Sequence, residues 1–198
     1  METELKLDFA HTAVLAMDCQ AGIVSIYAKP KEEFVARASS VLRTARTTGM
    51  PVVLVQVGFR PGLPEVNDRN KFFVAIKSSV QHQSLFQGDA GAIHPDLGPE
   101  PGDIVVVKHR VSAFAGTDLE LVLRAKQIDT IVLFGISTSG VVLSTLLEAS
   151  DADYRVVVVA DCCADLDAEL HGALLTRLFP KHADVVTAGD FVKALGPT

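Results

Sequence analysis

The sequence predicts an α/β protein, a three-layer α/β/α sandwich around a mostly parallel, doubly wound sheet of six strands. Runs rich in Val, Ile and Leu recur along the chain and are nearly continuous rather than alternating, as strands covered on both faces require. Between them lie segments of helical period, and this alternation implies right-handed βαβ units. A length of 198 residues suits a single domain, 1–198, with a sizeable core.

The first strand is expected at His11–Asp18, where Ala13 to Met17 are all apolar. A helix follows at about Lys31–Thr48 and is closed by Gly49-Met50-Pro51. The second strand, Val52–Gly58, leads into a segment that breaks the rhythm. From Phe59 to Gly102 the chain carries Pro61, Pro64, Pro95, Pro99 and Pro101 with several glycines, and reads as a long irregular insertion. An insertion of that kind between two strands is expected to serve as an active-site wall or lid. The third strand is Ile104–Lys108. Thr117 and Glu120 have the spacing of a capping box for a helix over Thr117–Lys126. Thr130–Gly135 is the fourth strand, Ser139–Ser150 the next helix, Arg155–Asp161 the fifth strand and Asp167–Phe179 a further helix. Asp184–Thr187 is a weaker sixth strand.

The formal net charge is −6 and the basic residues are scattered, so nucleic acid is not an expected partner. No apolar stretch approaches the roughly 20 residues that cross a bilayer. The acidic start Met1-Glu2-Thr3-Glu4 is unlike a basic leader. A cytoplasmic protein without a membrane partner is expected. Cys162 and Cys163 are adjacent and cannot ordinarily bridge each other, and Cys19 stands alone, so all three are read as reduced thiols.

Three of the buried runs end on polar groups, which a parallel sheet gathers at its carboxyl edge, where open α/β sheets bind ligands. Asp18 ends the first. It is either a turn former or a carboxylate held partly out of water, with Gln20 on the same side to orient a neighbour. Lys108 ends the third. It either reaches to solvent or pairs with a carboxylate, and Asp18 is the obvious partner if the two strands are neighbours. Such a pair suits acid/base chemistry. The run Gly135-Ile136-Ser137-Thr138-Ser139-Gly140-Val141 is either a capped turn or a cradle of amides for an oxyanion or carboxylate. It matches neither a GxSxG elbow nor a GxxxxGK[ST] loop.

Together, Asp18-Cys19-Gln20, the run Lys108 to Phe114 with Gly116-Thr117-Asp118-Leu119, and Gly135-Ile136-Ser137-Thr138 with Ser144-Thr145 resemble the isochorismatase-like hydrolase superfamily over nearly the whole chain. The resemblance implies a site built from an aspartate, a lysine and, in most members, a cysteine nucleophile three residues after the threonine of Gly-x-x-Thr. Here that slot holds Val141, preceded by Gly140, and Val141 cannot attack anything. Cys162 and Cys163 follow another strand and are read as packing residues. Relatives that bind a metal use Asp-x-His on the second strand. This chain has Gln56-Val57-Gly58, so neither a metal nor a cofactor is expected, and His94 and His109 are read as surface or packing residues.

Members without the cysteine hydrolyse a vinyl ether, the aspartate protonating the enol-ether carbon. Carried over, the catalytic pair is Asp18 and Lys108. The resemblance puts Ile136, Ser137, Thr138, Ser139 and Gly140 around the substrate, with Gln20, Arg60 and Phe114 completing the set. Arg69 is a second loop arginine able to read a carboxylate. A cis peptide at Ile136–Ser137 and a homo-oligomer, dimer or tetramer, are also implied. Three functions stay open for a small-molecule substrate: vinyl ether hydrolysis, amide hydrolysis by water that Asp18 activates, and a catalytically silent binding relative.

Overall fold

The computed structural model describes residues 5–195. The acidic start read above lies outside them. Strands β1 (Thr12–Met17), β2 (Val52–Val57), β3 (Ile104–Lys108), β4 (Thr130–Ile136), β5 (Arg155–Ala164) and β6 (Asp184–Val186) form one sheet. Its order is β3-β2-β1-β4-β5-β6, and every neighbouring pair is parallel. The chain winds outward from β1 to β3 and then returns to start β4 on the other side of β1. That reversal opens a crevice at the carboxyl ends of β1 and β4.

The helices are α1 (Ala21–Tyr27), α2 (Lys31–Thr47), α3 (Lys71–Lys77), α4 (Val80–Ser84), α5 (Gly88–Gly91), α6 (Leu119–Ala125), α7 (Leu143–Asp151), α8 (Ala168–Ala173) and α9 (Ala188–Ala194). In α2, Phe34, Val35, Ala38, Val41, Leu42 and Ala45 recur at helical spacing and are buried, forming the stripe that packs on the sheet. The core is continuous through β1, β2, β4 and β5, whose Val, Ile and Leu side chains are almost fully buried. Among the described residues, no helix is long and apolar enough to cross a membrane.

Several expectations need correction. The insertion is not irregular: α3, α4, α5 and a 3-10 turn at Pro95–Leu97 occupy much of it. Asn70 and Ser79 cap the first two of these helices with their side chains. Phe73 of α3 joins Leu63 and Val66 in a small core of its own. The capping box at Thr117 does not form. Thr117 Oγ1 donates back to the Ala113 carbonyl at 2.6 Å, and α6 starts after Asp118, which makes no side-chain cap. On β3 the apolar run does not mean two covered faces, because Val105 and Val107 are exposed on this edge strand. The segment read as one helix over Asp167–Phe179 widens after α8 into a π turn at Leu174–Leu178. Helices α1 and α9 were not foreseen; both are only seven residues long, too short for a sustained period.

Candidate active site

Asp18 leaves β1 with a φ of 53°, the left-handed region that aspartate tolerates better than most residues. Its amide still donates to the Val55 carbonyl at 2.8 Å, so the bend occurs at the last ladder position of the strand. Beside it, Gly135 lies opposite Met17 in the β1–β4 register. A Cβ on Gly135 would stand 2.1 Å from the Met17 carbonyl oxygen, so only glycine lets β4 close against β1 beneath Asp18.

Lys108 does not come from a neighbouring strand, because β2 lies between β1 and β3. The pair forms nonetheless: lysine Nζ reaches over the end of β2 to within 2.8 Å of Asp18 Oδ2, a span of two strand spacings, or about 10 Å. Both side chains are buried, at 3% and 9% exposure. The ammonium also donates to the Arg110 carbonyl at 3.0 Å. Asp18 Oδ1, by contrast, accepts no hydrogen bond from any described protein group. Burial pushes the Asp18 carboxyl above its usual value, and the Lys108 ammonium pulls it part of the way back. A carboxyl so placed holds its proton above the ordinary carboxylate range.

The pair lies in the wall of a cavity of about 120 Å³ that is partly open to solvent. Ile136 at the end of β4, and Ser137, Gly140 and Val141 from the turn after it, share that wall. The Ile136–Ser137 peptide is cis. Gly140 has room for Ser137 Oγ where a Cβ would come within 2.7 Å of it.

Other expected residues are not brought to the cavity. Thr138 is fully buried, with its Oγ1 2.8 Å from His171 Nδ1. The Ser139 amide and hydroxyl both donate to Asp165 Oδ2, at 2.8 and 2.7 Å. Burial opposes ionisation of Asp165, but these Ser139 hydrogen bonds hold its carboxyl below the usual value. The Gly140 amide turns back to the Ser137 carbonyl at 3.2 Å. The amide cradle expected here is thus consumed internally at positions 139 and 140, and the turn is anchored from behind by Asp165 and His171.

Gln20 is a clasp. Its Nε2 donates to the carbonyls of Val57 and Gly91 at 3.0 and 2.7 Å, and its Oε1 accepts from the Val57 amide at 2.8 Å, tying β2 to the insertion. Phe114 stacks on Tyr154 with ring centroids 6.0 Å apart. Arg60 is exposed beside His109 and Glu65 and lines a separate pocket, while Arg69 bonds Asn67. His109 is held by the Gly58 carbonyl at 2.6 Å, and His94 accepts from the Asp96 amide.

Sequence reasoning did not single out the rest of the wall. Tyr27 of α1, Phe72, Phe73 and Ile76 of α3, Leu85 and Phe86 after α4, and Arg110 all line it. The adjacent Phe72-Phe73 pair inside a proline-rich insertion was the one available signal. No thiol reaches the cavity: Cys19 Sγ points at the Met17 carbonyl and Cys163 Sγ at the Val159 carbonyl. Burial raises all three thiols well above their usual value, so none is a ready thiolate. Among the described residues no three His, Cys, Asp or Glu side chains converge as a metal-holding group.

Comparison with known proteins agrees with this fold. Residues 12–190 match the family model described as Isochorismatase domain. The chain is 34% identical to the uncharacterized isochorismatase family protein YecD of Escherichia coli O157:H7, over 96% of this chain and 100% of that protein. It is 30% identical to the maleamate amidohydrolase of Pseudomonas putida, over 92% of this chain and 86% of the relative. A solved isochorismatase family protein from Burkholderia thailandensis superposes with a TM-score of 0.85 at 32% identity, covering 97% of this chain and 98% of that one. On sequence and fold together, this chain belongs to the isochorismatase family.

Proposed function

We propose that the protein hydrolyses a small organic molecule by proton transfer at Asp18, positioned by Lys108, with no covalent intermediate on a cysteine. The observation that carries this reading is the buried Asp18–Lys108 pair, 2.8 Å apart in a cavity wall that Val141 shares and no thiol reaches. A carboxyl raised by apolar surroundings is a competent general acid.

The chemistry that fits is vinyl ether hydrolysis. Asp18 gives its proton to the terminal enol-ether carbon, forming a C–H bond and an oxocarbenium ion. Water adds to that ion and returns a proton to the Asp18 carboxylate. The hemiketal then collapses, breaking its C–O bond to release an alcohol and a ketone. Lys108 holds Asp18 in place throughout and keeps positive charge beside the carboxylate when it forms.

Similarity to the maleamate amidohydrolase favours a second reading, in which Asp18 is a base that takes a proton from water attacking an amide carbonyl. Screening purified protein against isochorismate and a panel of small amides, with Asp18→Asn as control, decides between them. Turnover of the vinyl ether that collapses in Asp18→Asn supports the first reading, and turnover confined to amides the second. Full activity in Asp18→Asn overturns both, and inactivity on every compound favours a binding protein.

A further inference from the structure

We infer that His171, which lies outside the cavity, is a positioning residue for it. Its unprotonated Nδ1 accepts the Thr138 hydroxyl, and that bond sets where Ser137, Gly140 and Val141 stand in the cavity wall. The role deepens the hydrolase reading and depends on it only in taking this cavity as the catalytic one.

The turn after β4 divides its side chains between two sides. Ser137, Gly140 and Val141 line the cavity, while Thr138 and Ser139 turn away from it to His171 and Asp165. Its backbone is a π turn, in which the Ser137 carbonyl accepts from the amides of both Gly140 and Val142 at 3.2 Å. Turns of this kind are rare and gather at functional sites. Ser137 is at once the hub of the turn and part of the wall, so whatever fixes Thr138, one peptide away, fixes Ser137 too.

The direction of the Thr138–His171 bond follows from proton counting. A hydroxyl has one proton to give. Thr138 is fully buried, and among the described residues the hydrogen-bonding atom that its Oγ1 meets is His171 Nδ1, at 2.8 Å. Were Nδ1 protonated and donating, the threonine proton would be left buried without an acceptor, which is costly. Thr138 therefore donates, Nδ1 offers its lone pair, and the ring proton is on Nε2. No neighbouring charge draws a second proton onto the ring. His11, His94 and His109 face the carboxylates of Asp8, Asp96 and Glu65 at 2.8, 3.8 and 3.6 Å, and His171 has no such neighbour among the described residues. Asp165 Oδ2 is instead taken by the Ser139 amide and hydroxyl.

The acceptor is held ready. Asp167 Oδ1 accepts from the Leu170 amide at 2.9 Å and caps α8, and the His171 amide donates to the Asp167 carbonyl at 2.9 Å. One short segment, from Asp165 to His171, thus grips two successive residues of the turn. Without the ring acceptor the Thr138 hydroxyl has to seek another partner, and the Ser137 carbonyl moves with it.

The test reads the turn directly and needs no substrate, so failure of the hydrolase reading leaves it intact. Nitrogen NMR of the labelled histidine rings in the full chain at neutral pH is expected to show His171 with a pyridine-like Nδ1 and its proton on Nε2. Thr138→Val is expected to move that Nδ1 resonance and Thr138→Ser to leave it in place. Amide exchange at Gly140 and Val142 reports the grip on the Ser137 carbonyl. His171→Leu is expected to speed it roughly 5- to 150-fold, the range for one buried polar group left unpaired. His171→Asn, whose Oδ1 stands where Nδ1 stood, restores slow exchange. Adding Thr138→Val to His171→Leu restores it as well, by removing the orphaned hydroxyl. Where a turned-over substrate is in hand, kcat falls in His171→Leu and returns in His171→Asn, with KM little changed. A proton on Nδ1, unchanged exchange in His171→Leu, or exchange in His171→Asn or the double variant as fast as in His171→Leu overturns the acceptor role. Faster exchange with unchanged kcat in His171→Leu overturns the link to the site. Should His171→Leu not fold, the ring spectra with Thr138→Val and Thr138→Ser decide.

Discussion

Just before β3, Arg46 holds Asp103 with two parallel hydrogen bonds of 3.2 and 2.6 Å, adds Glu100 at 2.7 Å and the Leu97 carbonyl at 3.2 Å, and leaves neither Asp103 oxygen idle. At the far end of the same strand, Lys108 meets Asp18 through one contact of 2.8 Å, and Asp18 Oδ1 has no protein partner. Both pairs are largely buried. Burial of charge therefore does not separate a clasp from a site; the unspent hydrogen-bonding capacity does. Arg46 joins α2 to the segment entering β3 and spends four of its five N–H groups doing so. Asp18 and Lys108 join the ends of two strands separated by a third, with an oxygen in reserve.

The sharpest way to break this contrast is to cut each pair. Asp18→Asn preserves shape but cannot exchange a proton, and turnover is expected to fall about 10²–10⁴-fold, with Lys108→Met lowering it as well. Arg46→Met should leave turnover per folded molecule unchanged and cost stability instead. Losing one partner of a buried pair costs about 3–5 kcal/mol, and the low end is expected because Arg46 keeps some contact with water. Urea titration alongside steady-state kinetics on both variants reads the two effects. A turnover loss in Arg46→Met as deep as in Asp18→Asn would erase the distinction.

A smaller effect, in pH, gives the direction of proton transfer. Burial raises the Asp18 carboxyl, with Lys108 opposing, so its protonated form persists above the ordinary carboxylate range. If Asp18 is the acid, the active form is the protonated one, and kcat/KM for a vinyl ether falls as pH rises through the raised pKa. If Asp18 is the base, kcat/KM for an amide falls as pH drops through it. A profile flat over the whole pH range in which the protein stays folded would show that Asp18 does not titrate in the rate-limiting step.

The smallest effect is expected at the thiols. Cys162→Ser and Cys163→Ser should retain turnover, and alkylation of a Cys19→Ser protein should do the same, since no sulfur lines the cavity. An acyl adduct on any cysteine, found by mass spectrometry after incubation with a turned-over amide, would overturn the cysteine-free mechanism.

The sheet was legible because its signal is local and strong. Val14, Leu15, Val53, Val132 and Val157 sit in unbroken apolar runs that only strands buried in the interior accommodate, and each was placed within its strand from the run alone. Asp18 and Lys108 were legible for the same reason, as charges directly after such runs. What the sequence did not reveal is that Gln20, Arg60, Phe114, Thr138 and Ser139 stand outside the cavity wall. Residue type and position cannot tell a side chain that faces a ligand from one that satisfies a buried carbonyl, and all but exposed Arg60 are taken up in packing or hydrogen bonds within the protein.

The sequence by itself determined the strand runs and the polar residues at their ends, because these follow from hydrophobic patterning and residue chemistry along a short stretch of chain, whereas the nucleophile slot at Val141 is implied only by the family resemblance. Only the tertiary structure decided that β2 separates β1 from β3 and that Lys108 still reaches Asp18 across it. Only the tertiary structure folded α3 and α4 into an aromatic wall and turned Arg110 into the same cavity. These depend on pairing between strands distant in sequence and on which hydrogen bonds remain unspent after packing, and no local pattern encodes either.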